Sequence, residues 1–166
     1  ADKYYFTASY RRDGSSRFHK DNRWGSFWAL GGSWRAKEEA FLKDVEWLDN
    51  LKVKASFGTQ GNDNVGYYHN YSDLYVVERV DGDAAFTKTL RGNKDLTWEK
   101  SNNFNVGVEL GLWNWLDFNV DFFIKETKDM LYYSPLPPSQ GSPSGIYRNE
   151  MDMKNTGIEF ELNADI

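Results

Sequence analysis

The sequence predicts an all-β chain, a curved antiparallel meander of about six strands with one short helical turn. Apolar and polar residues alternate along several segments, which is the β-strand period because successive side chains point to opposite faces of a sheet. Polar segments rich in Gly, Asn, Asp or Pro separate these alternating segments. No run of about 18 apolar residues, the signature of a membrane helix, interrupts them.

A polar loop separates the first two predicted strands. Residues 4–10 alternate aromatic or apolar side chains with polar ones, which predicts a strand. Residues 11–23 are polar and contain an Asp-Gly pair typical of turns. Residues 24–36 alternate again, and their many small residues predict close backbone approach or strong curvature. One face of this second strand holds Trp24, Trp28, Leu30, Trp34 and Ala36.

In the next part of the chain, the spacing of the apolar residues changes. Residues 37–50 lose the two-residue alternation and place apolar side chains at helical spacing, which predicts one short helical turn. Residues 51–59 resume the alternation and predict a third strand. Residues 61–95 form a long irregular segment with several tyrosines, and such length without regular structure indicates function or disorder.

Residues 104–124 carry the clearest pattern in the chain. Every even position except Asn114 is apolar, whereas the odd positions are mostly polar or Gly. Because the parity continues through the break, we expect two strands joined by the short turn 113–115, in which Asn114 adopts a left-handed conformation. These strands are expected to extend out to Trp98 and Tyr133. The predicted cross-strand pairs are Leu112 with Leu116, Leu110 with Phe118, and Val108 with Val120.

The C-terminal part contains a proline-rich loop and a last strand. All four prolines lie in residues 135–143, which predicts a loop. Residues 156–166 then alternate and predict the sixth strand. Taken alternately, the connections 11–23, 61–97 and 134–150 are polar and mostly long, whereas 37–50 and 113–115 are shorter on average. Because antiparallel neighbours alternate in direction, the long loops lie at one end of the sheet.

The apolar face of this sheet has two possible environments. A soluble sandwich buries such a face in a core, whereas an outer-membrane barrel turns it to lipid and lines its lumen with the polar face. Long loops at one end and short turns at the other favour the barrel. Aromatic residues near the predicted strand ends also favour it, because they are typical of interfacial girdles. These residues are Tyr4, Tyr5, Trp34, Trp98, Trp113, Trp115, Tyr132 and Tyr133.

Composition narrows the function classes. The formal net charge of −5 and the absence of a basic patch argue against nucleic-acid binding. The chain has no cysteine, which excludes disulfides and thiolate metal sites. The first residues enter a strand pattern without a leader or cleavage signal, so we expect that residue 1 is not a native secreted N-terminus. The strand pattern continues to residue 166, so we expect further strands.

Several motifs occur in one order along nearly the whole chain. They are RRDGSSRF at 11–18, DNRWGSFWALGGSWR at 21–35, KEEAFL at 37–42, LKVKASFGTQGN at 51–62, DLTWEKSNNFNVGVELGL at 95–112 and NTGIEFEL at 155–162. These motifs resemble the SusC/RagA family of TonB-linked outer-membrane transporters, and their number and order make the resemblance specific.

The resemblance implies that residues 1–166 are a partial TonB-dependent receptor β-barrel, a segment of a transmembrane β-barrel wall without the plug domain and remaining strands. It implies an importer of oligosaccharides or peptides in the outer membrane of a Gram-negative bacterium, in contact with outer-membrane lipid. The implied partners are a SusD-like surface lipoprotein and, through the plug, the TonB complex. No cofactor, metal, catalytic residue or nucleic acid is implied.

Two groups of residues are candidates for contact with an imported nutrient. Polar residues of the alternating strands are expected to line the lumen. They are Asn105, Glu109, Asp117, Asn119, Asp121, Glu159 and Glu161. Tyrosines of the long segment are candidates for stacking on a ligand in an outward loop, although packing of the loop on itself is the favoured alternative. They are Tyr67, Tyr68, Tyr71 and Tyr75.

Other motifs suggest functional sites but favour structural interpretations. The turn 13–16 with neighbouring arginines resembles an anion nest, yet a tight structural turn at a barrel rim is the favoured interpretation. Asp63, Asp81 and Asp83 do not follow the ligand spacing of a calcium loop. His19 and His69 belong to different loops, so the sequence predicts no His-based metal or catalytic site. The strand carboxylates suit a lumen lining better than a glycosidase pair.

A soluble all-β carbohydrate-binding module is the alternative function. It requires a second apolar layer to close its core, and it leaves the loop asymmetry unexplained. A soluble enzyme ranks third, because the sequence brings together no nucleophile, base and orienting group.

Overall fold

The computed structural model describes residues 2–66, 69–141, 143 and 145–165. Six strands form one antiparallel sheet in the order β1-β2-β3-β6-β7-β8, and β4 and β5 form a separate hairpin. Among the described residues, no helix has the length and apolar character needed to cross a membrane. The strands are β1 (Tyr4–Gly14), β2 (Trp24–Arg35), β3 (Leu48–Asn62), β4 (Leu74–Val80), β5 (Asp83–Leu90), β6 (Glu99–Leu112), β7 (Leu116–Pro135) and β8 (Gly145–Ala164).

The register of the large sheet follows the predicted parity. The observed β6–β7 pairs include Leu112 with Leu116, Leu110 with Phe118, and Val108 with Val120. All three predicted pairs are confirmed. The same apolar row continues onto both neighbouring strands, with Val53 of β3 opposite Val108 and Phe160 of β8 opposite Val120. The sheet therefore has one face built from apolar rows and one built from polar rows.

The turn between β6 and β7 has the predicted left-handed conformation. Asn114 has a φ of 58°, and Trp113 shares the conformation with a φ of 53°. Asn tolerates this region far better than Trp does, so other contacts must hold the turn. The Trp113 amide donates to the Trp47 carbonyl over 3.0 Å, and the Asn114 amide donates to the Asp49 carboxylate. Trp47, just before β3, and Asp49, within β3, thus hold the turn between β6 and β7 in its left-handed conformation.

Two strands run much further than the sequence predicts. β3 covers Leu48–Asn62 instead of residues 51–59, and β8 begins at Gly145 instead of residue 156. Two register shifts between β7 and β8 explain the missed half of β8. The first lies between Thr127 and Met130 of β7, and the second leaves Glu150 of β8 as an extra residue between Asn149 and Met151. Because a bulge changes which residues share a face, the two-residue alternation is lost across it although the pairing continues.

The expected helical turn between β2 and β3 is shorter than the apolar spacing suggests. The structure has a 3₁₀ turn at Ala36–Glu38 followed by hydrogen-bonded turns, and another 3₁₀ turn at Pro138–Gln140. Lys37 fixes the first connection, because its ammonium donates to the carbonyls of Leu42 (3.1 Å), Lys43 (3.2 Å) and Val45 (2.6 Å). A side chain therefore satisfies carbonyls that a longer helix would have paired internally.

Glu39 ties the same connection to the first strand. Its carboxylate accepts hydrogen bonds from the Tyr4 hydroxyl (2.6 Å), the Lys3 ammonium (2.9 Å) and the Trp34 indole (3.2 Å). These donors, the Tyr4 hydroxyl first, lower the pKa of Glu39 to about 2 from an ordinary value of 4.5. The ionised carboxylate thus joins the turn after β2 to the start of β1 and to the end of β2.

The long segment 61–95 contains regular structure that the sequence analysis missed. β4 and β5 pair as a two-stranded hairpin around Asp81 and Gly82, whose φ values are 52° and 94°. Two consecutive left-handed residues make the turn that matches the twist of a hairpin. Val77 and Phe86 lie opposite each other and are exposed, whereas Leu90 at the end of β5 is buried, so the hairpin packs at its base and projects at its tip.

The buried core lies at the long-loop end of the sheet and not on its apolar face. Trp98 is at its centre and contacts Phe18 and Phe27 edge to face, with ring centroids 5.6 and 5.4 Å apart. Trp98 is only 6% exposed, so its predicted place in an interfacial girdle is wrong. Its indole also donates to the Arg23 carbonyl over 3.0 Å. The cluster comprises Phe18, Phe27, Val65, Leu96 and Trp98, with Leu131 and Tyr147 packed against it.

The Phe27 ring depends on a bare backbone at Gly61. A Cβ at Gly61 would lie 2.0 Å from the Phe27 ring, so we expect Gly61→Ala to displace the ring and destabilise the protein by about 1–3 kcal/mol. Gly32→Ala is the matched control, because its Cβ would meet nothing closer than the Tyr5 carbonyl at 3.7 Å. Urea unfolding of the protein in detergent micelles measures both. Equal stability of the two variants would contradict this packing.

Glu39 makes the connection between β2 and β3 sensitive to acid. Because its folded pKa is depressed to about 2, its contribution is fully present above about pH 4.5 and is lost as the pH falls toward 2. Amide hydrogen exchange in residues 36–45, corrected for intrinsic rates, should show constant protection above pH 4.5 and a loss below it. In Glu39→Gln the protection should be lower at neutral pH and nearly independent of pH. A wild-type profile that is flat down to pH 2 would contradict the assignment.

Candidate functional site

The polar face of the large sheet brings the predicted polar residues together. Glu109, Asn119 and Glu161 form one cross-strand row, because Asn119 pairs with both of the others in register. Asp121 and Glu159 form the next row. The remaining candidates, Asn105 and Asp117, lie on the same face of β6 and β7. The structure therefore places all seven predicted residues on one surface.

Two lysines of β3 organise the centre of this surface. The Lys52 ammonium lies 3.2 Å from the Glu109 carboxylate, and the Lys54 ammonium lies 3.4 Å from it. Lys54 also lies 3.0 Å from Asp121. The result is a chain of alternating charges across three strands. The sequence shows Lys52 and Lys54 at alternate positions, but the pairing of β3 with β6 is needed to identify their partners.

The acidic side of the network lies on β7 and β8. Glu161 accepts hydrogen bonds from Asn119 (3.3 Å) and Asn163 (3.1 Å), so amides rather than cations satisfy it. Glu159 lies directly opposite Asp121, and like charges in this position repel each other. Within the described part of the chain, Glu159 has no hydrogen-bond or ion-pair partner. Positive charge is thus concentrated on β3 and unbalanced negative charge on β8.

A groove of about 510 Å³ runs over the polar face between these charges. Its floor is formed by residues with small or no side chains, among them Gly31, Ser56 and Gly107. The aromatic rings of Tyr5 and Phe123 border it. Tyr5 was expected in the interfacial girdle, but here it lines the polar face. The charged groups of the groove are Lys54, Asp121 and Glu159.

Glycines on this face shape the groove. A Cβ at Gly107 would lie 2.2 Å from Asp121 and 2.4 Å from Lys54, so their ion pair lies directly over the bare backbone. The Phe123 ring covers Gly157 in the same way, 2.5 Å from the position of a Cβ. Phe123 is an aromatic residue at an odd position of β7, where the other side chains are mostly polar. This exception to the alternation is the sequence signal that could have predicted an aromatic ring beside the groove.

The tyrosine candidates do not form one cluster in the described residues. Tyr67 and Tyr68 lie outside the residues that the structure describes. Tyr71 contacts His69, whose Nδ1 lies 2.8 Å from its hydroxyl. Tyr75 lies on β4 with the Lys88 ammonium 5.4 Å from its ring centroid. Ligand binding by these tyrosines therefore stays a prediction.

Both histidines meet at Tyr71, which the sequence analysis did not anticipate. The rings of His19 and His69 each lie 5.6 Å from the Tyr71 ring in edge-to-face geometry. His19 also lies 3.0 Å from the Asp21 carboxylate. No group of three or more His, Cys, Asp or Glu residues with metal-binding geometry occurs in the described ranges. The contact thus joins two loops without forming a recognisable metal site.

The arginines beside the turn 13–16 have other contacts. Arg11 pairs with Asp13 at 2.7 Å, and Arg12 lies 5.4 Å over the Trp24 ring. Arg17 donates to the Asp63 carbonyl over 3.0 Å. The favoured interpretation, a structural turn, agrees with these contacts.

The opposite face of the sheet is apolar and exposed. Phe6 on β1 is 74% exposed, and Phe160 and Leu162 on β8 are 68% and 64% exposed. Interior strands share this property, since Leu30 and Phe104 are also exposed. Contiguous apolar surface on this scale marks contact with lipid or another protein.

Comparison with known proteins identifies the family. A family model described as "TonB dependent receptor-like, beta-barrel" matches residues 1–165. The chain belongs to this family. Among its relatives, the TonB-dependent receptor SusC of Bacteroides thetaiotaomicron is 36% identical over 98% of the chain, and the TonB-dependent receptor P39 of Formosa agariphila is 37% identical over 98%.

Solved structures of the RagAB peptide importer are similar to this chain. The RagAB peptide importer in its closed-closed state matches 99% of the chain with a TM-score of 0.89 and 36% identity. The resemblance to the SusC/RagA family inferred from the motifs is thus confirmed. The chain spans 17% of SusC, 16% of P39 and 18% of the matched RagAB chain. These relatives are much longer than the region they share with this TonB-dependent receptor sequence.

The two faces of the TonB-dependent receptor sheet can be distinguished by thiol chemistry. The chain itself contains no cysteine, so single cysteines can be placed at adjacent positions. In cells expressing the complete receptor, Asn119→Cys should react with a small water-soluble thiol reagent and Val120→Cys should not, because the former side chain lies on the polar face and the latter on the apolar face. Glu161→Cys and Phe160→Cys should repeat the contrast on β8. Equal labelling within both pairs would contradict the assignment of faces.

Proposed function

We propose that this chain is a section of the wall of a TonB-dependent outer-membrane importer of oligosaccharides or peptides. The apolar face of β1, β2, β3, β6, β7 and β8 faces outer-membrane lipid, and the polar face lines the lumen. The family match supports this assignment, because its model is that of a receptor β-barrel. The importer resides in the outer membrane of a Gram-negative bacterium.

The continuous, exposed apolar face of the six-stranded sheet carries this proposal. A soluble carbohydrate-binding module would have to bury that face under a second layer. The described residues provide no such layer, since the buried cluster lies at the loop end. In a membrane barrel, the apolar face contacts lipid tails and needs no second protein layer. Pairing with further strands removes the open edges at β1 and β8.

The proposed partners follow from the family and from the arrangement of the loops. A SusD-like surface lipoprotein covers the long-loop end, and the TonB complex acts through a plug domain elsewhere in the complete protein. One matched structure is described as a peptide importer, which supports peptides as cargo. The lumen-lining residues Glu109 and Asp121 contact the cargo or the plug. The family is one of receptors and transporters, and we assign this chain no catalytic role.

Deletion of the complete gene tests the proposed function. The deletion strain should lose growth on at least one oligosaccharide or peptide supplied at limiting concentration, and the wild-type gene should restore it. If the strain takes up every tested glycan and peptide at the wild-type rate, the proposed function is wrong.

Complementation with variants then tests the polar face. Glu109→Gln combined with Asp121→Asn removes two lumen charges while preserving shape, so uptake should change severalfold at normal surface levels of the receptor. Glu46→Gln, in the exposed turn before β3, is the matched control and should behave as the wild type. Unchanged uptake by the double variant would contradict a contact between the cargo and the Glu109 and Asp121 side chains.

A further inference from the structure

The basic side chains on the apolar face of the large sheet all lie at its long-loop end. They belong to the two cross-strand rows beyond the row of Phe104 and Ile124, where polar side chains replace apolar ones. Nearer the short turns, the described strands place no basic side chain on this face. The charge is therefore asymmetric along the direction in which the proposed barrel crosses the membrane. The basic residues are Arg12, Lys100, Lys128 and Lys154.

Two of these lysines face each other on interior strands. Lys100 of β6 pairs directly with Lys128 of β7, and both side chains are exposed. Like charges in directly opposed positions repel each other, and a slip of one residue would move every side chain of the strand to the other face. Both strands have a described neighbour on each side, so neither lysine lies at an open edge of the sheet. The repulsion is thus a fixed property of the register.

One carboxylate lies among the three lysines of β6, β7 and β8. Glu126 lies 3.6 Å from the Lys128 ammonium and is opposite Lys154 in register. In the part of the chain that the structure describes, neither Lys100 nor Lys154 forms an ion pair. Three ammonium groups therefore share a single carboxylate, which leaves a local excess of positive charge.

The remaining charged groups near the bulge of β7 do not cancel this excess. Asp129 has a φ of 55°, and its amide donates to the Asp152 carboxylate over 3.1 Å. Arg148 and Glu150, further toward the loops, pair with each other at 2.9 Å. Even with both aspartates counted, Arg12 and the three lysines give four basic groups against three acidic ones. This part of the face is positive although the net charge of the chain is −5.

Aromatic side chains on β1 and β2 mark the same level of the sheet. Tyr10 pairs with Trp28 one row nearer the short turns than Arg12, and Trp24 lies one row nearer the long loops. All three aromatic side chains are exposed, and the Arg12 guanidinium lies 5.4 Å from the Trp24 ring centroid. Exposed Tyr and Trp collect where lipid tails meet polar headgroups. This second signal places the lysines at the headgroup level of the outer leaflet.

We propose that Lys100, Lys128 and Lys154 bind a phosphate group of the phosphorylated glycolipid in the outer leaflet of the outer membrane. A phosphate accepts charge-assisted hydrogen bonds from several ammonium groups, so it relieves the repulsion between the opposed lysines. The exposed Phe104 and the neighbouring Ile124 offer an apolar surface to the acyl chains of the same lipid. This inference rests on the proposed orientation of the apolar face toward lipid and does not depend on the cargo.

The test measures glycolipid binding to the complete receptor, purified in dodecyl maltoside and freed of bound lipid. The probes are lipopolysaccharide from the producing strain, the same material after enzymatic dephosphorylation, and inorganic phosphate. Lys100→Gln combined with Lys128→Gln should weaken binding of intact lipopolysaccharide about thirtyfold, which corresponds to about 2 kcal/mol. The expectation is about 1 kcal/mol for each lysine near an anionic lipid surface. Dephosphorylation should weaken binding to the wild type to a similar extent.

Three further variants make the result specific. Lys100→Arg combined with Lys128→Arg keeps both charges and should bind lipopolysaccharide as the wild type does. Glu126→Gln removes the competing carboxylate and should strengthen binding severalfold. Lys43→Gln removes an exposed lysine at the short-turn end and should leave binding unchanged. The unfolding temperature of each variant in the same detergent shows that it is folded.

Several results would overturn the proposal. One is equal binding by the wild type and the double glutamine variant at equal unfolding temperatures, and another is undiminished binding of dephosphorylated lipopolysaccharide. If the double glutamine variant does not fold, unchanged binding by Glu126→Gln has the same meaning. Displacement of lipopolysaccharide by an equal concentration of inorganic phosphate would indicate a site for free anions instead of lipid.

A surface lipoprotein is the competing partner for these lysines. Loss of that lipoprotein from the purified double glutamine variant, with unchanged lipopolysaccharide binding, would assign the lysines to a protein contact and overturn the lipid site. The binding measurement uses no cargo, so its failure leaves the import function standing. The growth of the deletion strain tests that function separately.

Discussion

The structure depends on a shared side-chain parity across six antiparallel strands. Because the side-chain period of a strand is two residues, a slip of one residue on any strand would move its whole apolar row to the polar face. The register is continuous through the middle of the sheet, and the recorded shifts lie near its ends, at Leu48 of β3 and at Thr127 of β7. Each strand therefore constrains its neighbour, and the two faces remain separate across the whole width.

That separation determines what the sheet can do. A face with exposed Phe, Leu and Ile side chains requires an apolar environment, whereas the opposite face holds ion pairs that remain accessible to water. The buried core of the described residues seals only the long-loop end, where Trp98 joins loops from three connections. The sheet is thus stabilised by its backbone pairing and its environment more than by an interior of its own. This is the arrangement that a barrel wall requires and a soluble domain avoids.

The sequence predicted the sheet well because its information is local. The parity of residues 104–124 was sufficient to obtain the β6–β7 pairs and the left-handed Asn114. The errors occurred where distant contacts or backbone irregularities decide the structure. The register shifts between β7 and β8 concealed the first half of β8, and burial in the loop core removed Trp98 from the surface. The meeting of His19 and His69 at Tyr71 depends on the folding of two loops, which no local spacing reveals.

The candidate site shows the same division between local and distant information. Alternation alone placed Glu109, Asp121 and Glu159 on the polar face. It could not show that Lys54 forms ion pairs with Glu109 and Asp121 but not with Glu159. That difference arises from the strand order, in which β3 lies beside β6 and far from β8. It also requires Gly107, since any side chain there would separate Lys54 from Asp121. Among the described strands, the position of Lys54 beside Asp121 and away from Glu159 is therefore a consequence of the strand order and of one glycine.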